Sequence, residues 1–284
     1  ENEDHSPGSI IINKYEKKSD LKISEDLNLI SKNINIAGIY DPSDNDLSID
    51  MWTNSNGLKI LEIINKIQSM NLSKDAIDIL NIALLTNSYL PKKNITSEQF
   101  LKIKSDWLMK QQNLNLIETY LKKNTNLITE SELIKYYLNY YLSRSNLSKA
   151  CEIFDKVSIL NNDNYVLKFN IYCLINLNKS EEAQLHFDLL KETGFSDIFF
   201  EKMFSNLVGY DESSNEEISE ESLLDFHLSH RTIQNFNFEP KINTSKMIWK
   251  YLSYANLLED IYLVDLEDQE KLKTIEIATN EKHY

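Results

Sequence analysis

A spacing of 33 residues recurs through the middle of this chain. Ala150 and Phe154 reappear as Ala183 and Phe187, and the same interval in the other direction lands on Ile117 and Leu121. That interval is the length of a helix–turn–helix repeat, in which one unit cannot bury its apolar face alone but three stacked units can. Two capping boxes, Thr96 with Gln99 and Thr129 with Glu132, are also 33 residues apart. Each would start a unit by satisfying amides left open at a helix N-terminus. Repeat units are therefore expected near 97–130, 131–163 and 164–196.

Glycine and proline punctuate the chain rarely, with 5 and 4 among 284 residues, which favours long helices over a strand-rich fold with many tight turns. The expected class is all-α, built from α-α helical hairpins. A formal charge of −14 with 44 acidic residues against 30 basic ones repels phosphate backbones and argues against nucleic acid as a partner. No run of about 18 apolar residues is present, so no transmembrane segment is expected. The sequence starts at Glu1 and not at Met, as a processed form or a fragment would. The compartment is left open, a periplasmic or exported location being slightly favoured over the cytoplasm.

The flanks divide by composition. Residues 1–52 read as an N-terminal arm, with a helix expected around 24–32, followed by an irregular loop over 38–52 held by Ile39, Tyr40, Met51 and Trp52. A helical hairpin is expected over 53–96, since Ile60, Ile63, Ile64 and Ile67 lie at i, i+3, i+4 and i+7 and a second apolar run follows "SMNLS". The helical repeat region spans 97–209, and Gly209 is a natural helix stop. Residues 210–222 carry carboxylates with no Lys or Arg between Lys202 and Arg231. They read as a solvated acidic linker, the least ordered internal segment. Residues 223–284 resume helical patterning.

Few residues here display chemistry. No two of the five glycines lie close enough to form a phosphate loop. His227 and His230, at i, i+3 with Asp225 nearby, could share a metal or a catalytic role, but a site needs more ligands than these, and an amphipathic helix needs none. Asp41, Asp44, Asp46 and Asp50 lack the central glycine and terminal glutamate of a calcium loop. No cofactor and no metal is expected. Tyr136, Tyr137, Tyr140, Tyr141, Phe199, Phe200 and Phe204 stand at helical spacing and read as core. Cys151 and Cys173 lie equally far from the turn at 161–164, so an antiparallel hairpin would set them face to face. They would join as a disulfide in an exported chain and remain buried thiols in a reducing compartment.

The alternation of small and large residues at Ala150/Phe154 and Ala183/Phe187, with Tyr141 and Leu174 on the first helices, resembles the tetratricopeptide repeat in degenerate form over about 100 residues. Ile134, Tyr137 and Leu138 stand where that repeat's Trp–Leu–Gly signature would fall. More loosely, the succession of Gly38 to Pro42, Asp50 to Trp52, Ala150 to Ile153, Tyr172 with Cys173, and Glu192 to Asp197 resembles an uncharacterised alphaproteobacterial helical-repeat family, whose members often begin with a secretion signal and for which no activity is assigned. The tetratricopeptide resemblance implies a curved solenoid whose concave face is lined by the first helix of each unit. On those helices Lys102, Lys135 and Lys168 would form one row, with Asp106, Asn139 and Tyr172 beside it. Such a row suits an acidic peptide or a carboxylate terminus. Two other expectations stand beside it: a plain solvated helix face, or a row occupied by the chain's own acidic segment 211–225. The function expected is a non-catalytic scaffold or adaptor that binds another protein through stacked repeats. A structural subunit of a larger assembly, or an enzyme with a site around Asp225, His227 and His230, are the alternatives.

Overall fold

Helices begin where the sequence supplies a side chain for the first unpaired amides. In the computed structural model, which describes residues 36–125, 131–155, 163–210, 217–258 and 265–280, Asn56 caps α1 (Gly57–Gln68) and Ser73 caps α2 (Lys74–Leu85). Thr96 and Gln99 form both bonds of a capping box at the start of α3 (Ser97–Gln111). The second expected box falls on Thr129, outside the described residues, as does the expected helix around 24–32. All described residues belong to the unit Asn35–Tyr284.

Three helix pairs follow. α3 packs on α4 (Leu114–Lys123), α5 (Ser131–Leu142) on α6 (Leu147–Cys151), and α7 (Asn164–Asn176) on α8 (Ser180–Glu192). The first helices also pack in order, α3 on α5 and α5 on α7. The turn inside each pair has the same backbone signature: Gln112, Ser145 and Asn178 all adopt the left-handed conformation, with φ of 53°, 55° and 59°, and they are 33 residues apart. Asn113 and Asn146 then cap the second helices of the first two pairs. Ile117, Ala150 and Ala183, the recurring positions of the sequence, are fully buried. Alanine at two of them lets the paired helix approach closely, as packing at interior density requires. α6 is shorter than its periodicity suggests, ending at Cys151 in a series of turns.

The pairs do not end the core. α9 (Ile198–Leu207), capped by Asp197, packs on α7. Gly209 follows it with φ of +81°, a conformation glycine adopts without the penalty a Cβ would bring. α10 (Leu223–Thr232) packs on α9, on α11 (Lys246–Tyr254) and also on α5. That last contact joins elements two pairs apart, whereas in a simple stack each unit touches only its neighbours. α12 (Gln269–Asn280) is the last helix. The described residues are thus overwhelmingly helical, twelve helices with almost no strand.

The exception lies at the N-terminal end. β1 (Ile36–Ala37) pairs antiparallel with β2 (Ser88–Tyr89), a pairing the helical periodicity gave no sign of. Asn124 of α4 grips the next residue on both sides, accepting from Gly38 N–H at 3.0 Å and donating to its carbonyl at 3.0 Å. A Cβ at Gly38 would lie 2.5 Å from the backbone of Thr86 and Asn87, so only glycine fits there. Lys123 reaches the Ile39 carbonyl, and the fully buried Lys104 donates to the Ala37 carbonyl at 2.6 Å. The loop beyond is held by the Tyr40–Thr86 bridge and by Trp52 against Phe100, with ring centroids 5.4 Å apart.

Of the acidic linker expected over 210–222, residues 211–216 lie outside the described part. The rest is fastened rather than free. Ser219 N–H donates to Ser229 Oγ, Glu220 accepts from Thr244 Oγ1, and Ser222 caps α10. Glu217, Glu220 and Glu221 are exposed, as in a solvated segment, while α10 and the turn before α11 supply the partners of Ser219, Glu220 and Ser222.

Candidate functional site

Lys102, Lys135 and Lys168 stand on three first helices that pack in order, and carboxylates of the same chain meet each of them. Lys102 on α3 pairs with Asp106 at 3.2 Å, and Lys135 on α5 with Glu132 at 3.2 Å and Asp163 at 2.8 Å. Lys168 on α7 pairs with Asp197 at 2.8 Å and Asp225 at 3.1 Å. Side-chain exposure falls along the row from 55% to 27% to 9%, because α10 lies over its far end. Lys168 and Tyr172 therefore do not line an open groove, and the carboxylate on Lys168 belongs to Asp225, at the end of the acidic segment. Asn139 accepts the hydroxyl hydrogen of Tyr165 instead of facing a guest.

Two of those partners have a second duty that sequence reading missed. Asp163 is the N-cap of α7 and Asp197 the N-cap of α9. Each lysine thus ties one helix to the start of a later one, and the same carboxylate accepts backbone amides there. Burial works to raise the pKa of Asp163 and Asp197, but the lysine and the cap amides outweigh it and both are lowered. Burial likewise works to lower Lys168, and Asp225 with Asp197 reverses the sign. A signal was available in the sequence: an aspartate at a helix start, 28 and 29 residues after Lys135 and Lys168.

In the Asp225, His227 and His230 group the first two are buried and the third partly so. Leu223 to Ser229, seven consecutive residues of α10, are all buried, so this helix is enclosed on every side rather than amphipathic. Tyr172 Oη lies 2.9 Å from His227 Nε2, while Tyr251 Oη lies 2.8 Å from His227 Nδ1 and 2.7 Å from His230 Nδ1. Arg231 lies near enough to Tyr172 to work against the rise that burial gives its pKa. Assigned from this network, Tyr172 donates to His227 Nε2. His227 Nδ1–H then donates to Tyr251, and Tyr251 donates to His230. The arrangement suits a neutral His227. Burial first, then Arg231 and His230, push its pKa down to about 3. Both of its ring nitrogens are engaged by tyrosines, which leaves neither for a metal. Among the described residues no group of three or more His, Cys, Asp or Glu could hold a metal ion.

Cys151 and Cys173 are joined as a disulfide with a Cα–Cα separation of 5.6 Å. Cys151 ends the short helix α6 and Cys173 lies in the last turn of α7, and the turn residues 161 and 162 between them fall outside the described part. Of the tyrosines expected as core, Tyr137 is fully buried, Tyr136 and Tyr141 are partly buried against the core, and Tyr140 is partly buried with its ring under Arg144. Among the described residues no helix is long and apolar enough to cross a membrane. No family model, curated protein or solved structure matches this chain.

Proposed function

We propose that this chain is a non-catalytic scaffold or adaptor that binds another protein through tetratricopeptide-like stacked hairpins. The observation that carries this reading is the succession α3, α5, α7 of first helices packed in order, with left-handed turns at one spacing, since such ladders serve as extended, preformed surfaces. The groups with catalytic potential have structural partners instead: Asp225 holds Lys168, and His227 bridges two tyrosines. The guest is an acidic peptide or a carboxylate terminus, and since the chain's own carboxylates meet Lys102, Lys135 and Lys168, its cationic contact lies elsewhere on the surface. Affinity capture from a native extract, followed by mass spectrometry and reconstitution with the purified candidate, tests the proposal. A partner that re-forms a defined complex supports it, whereas turnover of a small molecule with no such partner overturns it.

A structural subunit of a larger assembly is the second reading. Leu58, Ile63, Met70 and Ile79 are exposed on and around α1 and α2, the kind of apolar surface that a neighbouring subunit covers. Light scattering of the purified chain separates the two, because a subunit interface of this kind drives association without added partner.

A further inference from the structure

Among the described residues, two cations of this acidic chain stand together without a carboxylate partner. Tyr136, Tyr140 and Arg144 follow one another at intervals of four along and just beyond the C-terminal end of α5. Met247, Lys250 and Tyr254 lie at i, i+3 and i+7 on α11. The stripes meet at Arg144, whose guanidinium carbon lies over the Tyr140 ring, 3.5 Å from its centroid, and 5.8 Å from the centroid of the Tyr254 ring. It is held there by a bond from Nη1 to the Tyr140 carbonyl at 3.0 Å. Lys250 is half-exposed beside it, close enough that burial and then the charge of Arg144 lower its pKa.

Among the described residues neither cation has an ion-pair partner, while Lys102, Lys135, Lys149, Lys168 and Lys191 each have one. Like charges held near each other are unfavourable, and an anion placed between them relieves the repulsion. Among the described residues the guanidinium's one hydrogen bond is from Nη1 to the Tyr140 carbonyl, which leaves further N–H donors for a planar oxyanion. Tyr254 and Met247, both exposed, add apolar surface next to the charges.

We propose that Arg144 and Lys250, framed by Tyr136, Tyr140 and Tyr254, form a carboxylate-binding site for an acidic peptide of a partner protein. This rests on the scaffold reading and moves its cationic contact from the lysine row to the junction of α5 and α11. Arg144 takes the carboxylate by its fork, Lys250 adds a second charge, and the tyrosines bound the site and pack against the peptide's apolar atoms.

The test is fluorescence anisotropy with a labelled glutamate-rich hexapeptide, in free-carboxylate and C-terminal amide forms, against the full chain. Arg144→Gln with Lys250→Gln should weaken binding about tenfold or more, while the charge-matched pair Lys59→Gln with Lys74→Gln should change it by less than about twofold. Binding of the free form only assigns the terminus as guest; equal binding of both forms assigns side-chain carboxylates. Equal losses for the two pairs of variants, or no binding to the unaltered chain, overturn the site. Matching thermal midpoints check folding. If Arg144→Gln does not fold, Arg144→Lys, which keeps the charge and loses the fork, takes its place and should weaken binding less than the glutamine but measurably. A reconstituted partner that binds the Arg144→Gln, Lys250→Gln chain unchanged sinks this site and leaves the scaffold reading standing; failure to find any partner bears on that reading alone.

Discussion

His227 and Lys104 are basic groups that burial keeps from holding a proton, and each should leave its mark on the pH dependence of stability. An unfolded His takes up its proton near pH 6.5, while folded His227 resists until about pH 3. Between those values the unfolded state binds more protons, so stability is fully present above 6.5 and is lost as pH falls toward 3, by roughly a few kcal/mol. His227→Gln, which can bond both tyrosines without titrating, should remove that share of the acid sensitivity in urea melts recorded across the window. Lys104 has its pKa lowered to about 7 by complete burial, against about 10.4 unfolded. Here the unfolded state binds more protons from pH 7 upward, so stability should rise as pH climbs through that range. The rise should be absent in Lys104→Met; a variant with the same alkaline slope as the parent would show that the amine is not enclosed.

At the scale of elements, the lysine row offers an internal comparison. Lys168→Met leaves Asp225 and Asp197 facing each other with no cation in a buried setting, and should cost about 3–5 kcal/mol. Lys102→Met removes an exposed i,i+4 pair and should cost less than about 0.5 kcal/mol. Equilibrium urea denaturation of both distinguishes a tie between helices from a mere surface charge; similar small losses would mean the Lys168 pair is solvated. Helix positions were largely legible in the sequence because caps and periodicity are local: Thr96 with Gln99 and Gly209 announce their boundaries. The row itself was legible as a spacing, but its partners were not. Asp197 and Asp225 reach Lys168 from 29 and 57 residues away, and no local pattern encodes such a meeting. The burial of α10, itself expected as a helix, was hidden for the same reason, since Asp225, His227 and Ser229 look like a polar face until their buried partners are known. The β1–β2 pair is two residues long on each side, below what alternation can reveal.

For the molecule as a whole, the disulfide constrains the two central helix pairs. Joining residues 22 apart should contribute about 3 kcal/mol in the chain-entropy model. Native protein denatured without reductant should show no free thiol, and reduction should lower the thermal midpoint by several degrees; two reactive thiols in freshly isolated protein would assign a reducing compartment. The contact of α10 with α5 has a consequence for how the chain acquires its fold. A nearest-neighbour ladder can begin anywhere and grow outward, one hairpin at a time. Here Tyr172 waits for His227, 55 residues later, and Gly38 waits for Asn124, 86 residues later. Closing loops of that size before any reward slows the search. During synthesis the central helices emerge long before the helix that covers them, with Tyr172 and Lys168 still open to water. The middle of this protein is thus born with its future interior on the outside, a period in which a chaperone has something to hold.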